Sequence, residues 1–527
     1  MEINGSRILM EPLGRVIEES TPFRFVFKTN IDNPIALHDY VFVEVNNVED
    51  GKISKEKVLA EVIGLGSKNP LATERLVADQ QVSSYSYKLV SAEVIGYLKD
   101  GVIIRPKVAP DPNSPVYRAD DELLQAFFTG VKNRIPLKVA ALINRPQISV
   151  PIHLQDLQFH LGIFAATRAG KSYFAGKLIE EILTNTPFPV VVIDIHADYV
   201  MMDRKYDGSR HGDFNVVVYY PPKAPRVKRV TAEQRELRLS PEQLTHEALT
   251  ALLGATLGER QKIILRRILK KLKSQKKAFG LNDVIDQIVE ELNKADENGK
   301  PLLKGNERAR YESLLARLED LGEDISLPPT GIDVSELLRP KALSVICLNG
   351  LRSKVQDAYA SIIIDMLFRH QVLSKNDEKN FTPVFLFVEE AHRIASSESG
   401  GYAVRTISTA IREGSKFGLF MVLISQRPRS IDPDILSNVG NYAVMRITNQ
   451  QDQNVIESAS ESFSHRLIED LPGLNQGEAI LVGPFVPLSA HVKTLERKTK
   501  HHGVTPELSS LMERINETLE ERERGRW

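Results

Sequence analysis

Leu161-Gly-Ile-Phe-Ala165-Ala-Thr-Arg-Ala-Gly170-Lys171-Ser172 runs from an apolar stretch of strand length into a helix. From Lys171 onward Phe174, Leu178 and Ile182, with Ile179 and Leu183 beside them, repeat at four-residue spacing, the signature of a helix with one buried face. Strand, loop and helix joined through Gly-Lys-Ser bring the positive end of a helix dipole and free backbone N–H groups to one point, which is how a triphosphate is held. Gly170 lets the backbone approach closely, Lys171 can reach the β- and γ-phosphates, and the Ser172 hydroxyl can ligate Mg²⁺. The expected cradle for ATP is therefore Ala166, Thr167, Arg168, Ala169, Gly170, Lys171, Ser172 and Tyr173. The usual first glycine is replaced by Ala165, which is tolerable where φ is negative.

Downstream, apolar runs of about six residues alternate with helical segments: Val190–Ile193, Val216–Tyr220, Leu343–Leu348, Val384–Val388, Leu419–Ile424, Tyr442–Ile447 and Ala479–Val482. Continuous apolar strands spaced by helices predict an α/β core with a mainly parallel sheet covered on both faces. In such sheets ligands sit at the C-terminal strand ends, so the residues there are candidates for chemistry. Val384–Val388 delivers Glu389 and Glu390: the first is expected to support Mg²⁺, the second to polarise the attacking water. Leu419–Ile424 delivers Gln426, a candidate sensor of the γ-phosphate. Val190–Ile193 delivers Asp194, which either backs the metal and water or is a polar strand exit; His196 reads as structural, since no second metal-spaced histidine accompanies it. Arg412, near the end of the helical stretch 402–416 with Arg405 seven residues earlier, is a candidate guanidinium supplied to a neighbouring subunit's phosphates, and Arg145 is a second candidate.

Residues 1–108 read as dense short strands, a small β-barrel. Residues 109–150 read as a linker with a short helix, 151–220 and 341–500 as the nucleotide-binding core, 221–340 as a helical insertion and 501–527 as a charged bracing helix. Within the insertion, Ile264, Leu265, Ile268, Leu269 and Leu272 share one helical face. Arg266, Arg267, Lys270 and Lys271 lie beside it and are the candidates for contact with nucleic acid.

The 527 residues carry 68 Lys and Arg against 69 Asp and Glu, a net charge of −1, so any nucleic-acid binding must come from a local patch. The single cysteine, Cys347, excludes an intramolecular disulfide and a cysteine-based zinc cluster. No apolar stretch approaches bilayer length and Met1–Arg7 lacks a signal core, so a cytoplasmic chain without a membrane partner is expected.

Together, Ala165–Ser172, Ile193-Asp-Ile-His-Ala-Asp-Tyr199, Phe387-Val-Glu-Glu-Ala-His392, Arg412-Glu-Gly-Ser-Lys-Phe-Gly418, Ser425-Gln-Arg-Pro428 and Gly477-Glu-Ala-Ile-Leu-Val-Gly483 resemble the HerA group of hexameric DNA-pumping ATPases, related to FtsK and to conjugative motors. The resemblance implies a RecA-like P-loop core behind a HAS-barrel. It also implies a homohexameric ring that translocates double-stranded DNA, with ATP hydrolysed between subunits, and an archaeal partnership with a NurA-type nuclease in resecting broken DNA ends. The competing reading is a nucleotide-gated scaffold or protein-remodelling ring in which hydrolysis moves no DNA.

Overall fold

The computed structural model describes residues 11–17, 20–49, 52–70, 85–129, 134–253, 257–275, 277–377, 381–396, 401–460 and 462–502, with isolated positions beyond. The chain divides into two compact units, Met1–Gln155 with Glu478–Leu495, and Asp156–Gly477 with Glu496–Trp527.

In the first unit β1 (Gly14–Ile17), β2 (Arg24–Asn30), β3 (Tyr40–Glu49), β4 (Lys52–Lys68), β5 (Tyr87–Lys99), β6 (Val102–Ile104) and β7 (Pro115–Arg118) pair antiparallel in the order β2-β1-β7-β3-β4-β5-β6. Strand β2 also pairs with β5, so six of the seven close into a barrel and hide their edges. Alternation along each strand fills the interior: Phe25 and Phe27, then Val41, Val43 and Val45, then Val58, Ala60 and Val62. Register shifts at Leu59/Ala60 and Val62/Gly64 let the long β4 curve around the barrel. Gly14 is required by contact, since a Cβ there would meet the Lys28 carbonyl oxygen at 2.2 Å.

Segment 109–150, expected as a linker with a short helix, is more ordered than that. The helix is present as α1 (Asp121–Thr129), but β7 is the barrel strand between β1 and β3. The hairpin β8 (Pro136–Leu142) and β9 (Arg145–His153) then joins β18 (Glu478–Val482) and β19 (Ala490–Thr494) in an antiparallel sheet, ordered β18-β19-β8-β9. Three prolines near 110 suggested a linker, yet Pro115 occupies the first position of a strand, where its missing N–H costs little. Residues 478–495, expected in the nucleotide-binding core, belong to this first unit.

The second unit is built on eight parallel strands: β10 (Leu161–Phe164), β11 (Val190–Asp194), β12 (Asn215–Tyr220), β13 (Glu233–Glu236), β14 (Ala342–Cys347), β15 (Val384–Val388), β16 (Leu419–Ser425) and β17 (Asn441–Met445). Their order is β13-β12-β14-β11-β15-β16-β10-β17. Every residue of β10, β11, β14, β15 and β17 is buried, as helices on both faces demand. The short polar β13 has no apolar signal and was invisible to periodicity. Helix α2 (Lys171–Asn185) follows β10 and buries Phe174, Leu178, Ile179, Ile182 and Leu183, the face its spacing predicts.

The insertion contains α3 (His246–Leu252), α4 (Glu259–Ser274), α5 (Leu281–Asn293) and α6 (Gly305–Asp324). Helix α4 buries the five apolar residues named above against its neighbours. The bracing helix expected in 501–527 lies almost wholly outside the described residues. Cys347 is buried in β14, where desolvation pushes its thiol up to about 12, so it is inert. Among the described residues no helix is long and apolar enough to cross a membrane.

Candidate active site

Strand β10 lies between β16 and β17, and the loop leaving it is fixed from both sides. The Ala165 amide donates to the Ser425 carbonyl at 3.3 Å and the Ala166 amide to the Arg446 carbonyl at 2.9 Å. Ala165 is not among the residues with positive φ, so alanine fits where the usual pattern has glycine. Gly170 does require its lack of a side chain, with φ 113° immediately before α2. The amides of Lys171, Ser172 and Tyr173 occupy the first helical turn, where no intrahelical carbonyl can serve them, so they face outward as donors. Such a turn attracts an anion.

Lys171 Nζ sits 2.8 Å from Glu390 Oε1, which brings the loop and the end of β15 together. Burial pulls the Lys171 ammonium down, but the charges of Glu389 and Glu390 outweigh it and hold the lysine above its ordinary value. Glu390 is buried and adopts φ 48°, ψ 43°, a left-handed conformation costing a non-glycine residue on the order of 1–3 kcal/mol. His196 Nε2 lies 3.8 Å from its Oε1 and His392 Nδ1 lies 3.3 Å from its Oε2, although Oε2 makes no hydrogen bond. Burial holds the His392 imidazole below its ordinary value, against the pull of Glu390, and the ring lies 3.1 Å from the Ser425 hydroxyl.

Glu389 is buried more deeply. Its Oε1 accepts from the Tyr199 hydroxyl and its Oε2 has no partner. Burial raises its carboxyl to about 7, opposed by the Lys171 charge and the Tyr199 hydrogen bond. Asp194 is also fully buried and rises to about 8, first through desolvation and then through the nearby Asp198 charge. It accepts from the Asp198 and Tyr199 amides at 3.0 Å each, so it shapes the turn that carries Tyr199 to Glu389. At the end of β16, Gln426 Oε1 accepts from the Thr167 hydroxyl at 2.8 Å, linking the loop to the next strand end.

The structure thus pairs Lys171 with Glu390 and Thr167 with Gln426, with Glu389 buried next to Glu390 in the chain. Arg412, on α7 (Gly401–Glu413), is exposed and forms no ion pair among the described residues. Arg145 is engaged elsewhere: in the first unit its Nη1 pairs with Asp121 Oδ1 at 2.7 Å. Asp121 is held below its ordinary value by the Gln147 hydrogen bond and by Arg145. Tyr199 and His392 carried no expected role, although both stand in the quoted motifs; their signal was position in the turn that follows a buried strand, close behind Asp194 and Glu390.

Residues 137–367 match the family described as the helicase HerA central domain. The middle of the chain is thus similar to the central domain of HerA helicases. It is 28% identical over 453 residues to a probable helicase of Methanocaldococcus jannaschii, covering 84% of this chain and 82% of that one. The DNA double-strand break repair helicases HerA of Pyrococcus furiosus and Saccharolobus solfataricus are 23% and 24% identical, covering 77% of both chains in the first case and 92% and 93% in the second. Among solved structures, VirB4 of Thermoanaerobacter pseudethanolicus aligns with a TM-score of 0.49 at 13% identity over 70% of this chain and 98% of that one. The plasmid coupling protein TrwB in complex with ADP and Mg²⁺ gives 0.46 at 15% identity over 68% and 90%.

Proposed function

We propose that the chain is an ATP-driven motor on double-stranded DNA that works as a ring of six subunits, serving double-strand-break end resection together with a NurA-type nuclease in the cytoplasm. The observation that carries the motor reading is the convergence of Lys171, Glu390 and the Thr167–Gln426 pair at neighbouring strand ends. Three elements that report on one phosphate group are what a hydrolysis-coupled machine needs.

In this reading the first turn of α2 and Lys171 bind the β- and γ-phosphates. Glu390 orients the attacking water and takes its proton. Gln426 senses the γ-phosphate through Thr167, so its loss is felt at β16. Arg412, exposed and unpaired, supplies positive charge to the neighbouring subunit's site. The donor set also fits Mg²⁺: the buried Oε2 atoms of Glu389 and Glu390 make no hydrogen bond, and with the Ser172 hydroxyl they are the hard oxygens such an ion takes. Mg²⁺ held there would neutralise phosphate charge. Duplex contact falls to exposed cations of α4; Arg266 and Lys270 are available, whereas Arg267 is bonded to Tyr311 and Lys271 lies 3.6 Å from Glu291.

The test is displacement of a triplex-forming strand from duplex DNA. The wild-type chain should displace it with ATP, and Glu390→Gln should not. Efficient ATP turnover without displacement would favour a scaffold or remodelling ring over a DNA motor.

A further inference from the structure

His160 immediately precedes β10, is 2% exposed and takes no part in the site described above. Its ring is bonded at both nitrogens. The Met421 amide donates to Nδ1 at 3.0 Å, so the imidazole proton is on Nε2. That N–H has two acceptors, the Ile411 carbonyl at 2.7 Å and the Ser415 hydroxyl oxygen at 3.1 Å, whose own proton goes to the Gln158 carbonyl. Burial pulls the imidazole down to about 4, against the Ile411 hydrogen bond, so the ring stays neutral in the physiological range and keeps this tautomer.

Ile411 and Ser415 flank Arg412 in the chain. The Ile411 carbonyl stands in the last turn of α7, where carbonyls lack an intrahelical donor, and the histidine N–H caps it. The anchor is itself fixed. Asn441, at the start of β17, donates to the Asp156 and His160 carbonyls at 2.8 Å each, and the Gly440 amide donates to the Phe159 carbonyl at 2.7 Å. His160 holds φ 61°, a left-handed conformation that persists in a non-glycine residue only where its surroundings enforce it. Beyond Arg412 the chain is equally tight, since a Cβ on Gly414 would meet the Leu419 carbonyl oxygen at 2.9 Å.

Strand β10 also sets a distance. From His160 to Ala165 the extended chain travels about 16 Å, so the backbone around Arg412 is held at the sheet edge opposite its own phosphate loop. We propose that His160 is a positioning residue for Arg412, fixing the backbone on both sides of the arginine and thereby the place where its guanidinium meets a neighbouring subunit's phosphates. This rests on the reading of Arg412 given above.

Two substitutions separate the ring's two bonds. Asparagine puts an acceptor near the place of Nδ1 and glutamine a donor near that of Nε2. His160→Asn therefore keeps Met421 and loses Ile411, and His160→Gln does the reverse. His160→Asn should lower kcat for ATP about 10²-fold, the cost of a misplaced catalytic group, with KM within about two-fold, and His160→Gln should stay within about three-fold of wild type. Each variant loses one buried hydrogen bond. Matching losses of turnover and of thermal stability in the two would mark a merely structural histidine and overturn the proposal.

Mixed rings show which site is affected. His160→Asn subunits should recover part of the hydrolysis when mixed with Lys171→Ala subunits and none when mixed with Arg412→Ala subunits. The inverse pattern would put the effect on the histidine's own phosphate loop and overturn the proposal. Should His160→Asn fail to fold, Ser415→Ala, which removes one acceptor and leaves Ile411 and Met421 bonded, carries the mixing test with a smaller loss. If Arg412→Ala alone hydrolyses ATP normally, the reading of Arg412 falls and this inference falls with it.

Discussion

Lys171 and Glu390 neutralise each other across 2.8 Å. In the proposed function a triphosphate takes the lysine and the glutamate serves the water, so the two residues should fail differently. Lys171→Ala loses the charge on the phosphates and should cut turnover about 10²- to 10³-fold while the fold persists. Glu390→Gln keeps size and loses basicity, so it should bind ATP and turn over about 10²- to 10⁴-fold more slowly. Steady-state hydrolysis and equilibrium binding on both variants check this, and a mild Glu390→Gln beside a severe Glu389→Gln would exchange the two glutamates' roles. The neighbouring acids also predict a pH dependence. Glu389 at about 7 and Asp194 at about 8 bind protons more tightly folded than unfolded. Their contribution to stability is thus present in full below the ordinary carboxylate range and is lost as pH rises toward about 8. Thermal unfolding of the nucleotide-free chain should show that decline, and Glu389→Gln, whose amide oxygen can still accept from Tyr199, should make it shallower. An unaltered slope would show that Glu389 does not titrate in that window.

Among the elements, the strands and the P-loop helix were legible because continuous apolar runs and a four-residue repeat have few other structural solutions, and the acids at strand ends were legible because an open parallel sheet puts ligands there. What escaped was what depends on partners distant in sequence. Strand β7 completes a barrel begun a hundred residues earlier, and β8 pairs with β19, more than three hundred residues away. Tyr199 reaches Glu389 across 190 positions, and no local pattern announces that bond. Arg267, expected to face nucleic acid, is exposed and also contacts Tyr311, a partner that spacing cannot reveal. In the insertion, Leu265 is fully buried between helices. Leu265→Ala should cost about 2–5 kcal/mol of stability. Calorimetric unfolding would show a lower transition with ATP affinity retained; a loss of ATP binding would mean that the insertion and the nucleotide site fold as one.

For the whole molecule, the net charge of −1 means that DNA affinity must come from local cations and must fall steeply with salt. Reversal of Arg266 and Lys270 to glutamate should reduce the salt slope by about 2, as loss of two phosphate contacts requires, and an unchanged slope would place the DNA surface elsewhere. A ring of six predicts an active species of about 355 kDa, six times the 59.1 kDa chain, in light scattering with ATP and duplex DNA. It also predicts that Arg412→Ala and Lys171→Ala subunits, each inactive alone, recover part of the hydrolysis when mixed, since each supplies the half of an interface that the other lacks. The most direct test of the central claim, that hydrolysis at Lys171 and Glu390 drives movement on DNA, is the rate of ATP hydrolysis at low salt with and without duplex DNA. The account predicts a rate that rises severalfold with duplex DNA and vanishes in Lys171→Ala; a rate indifferent to DNA, or one that survives loss of Lys171, would contradict it.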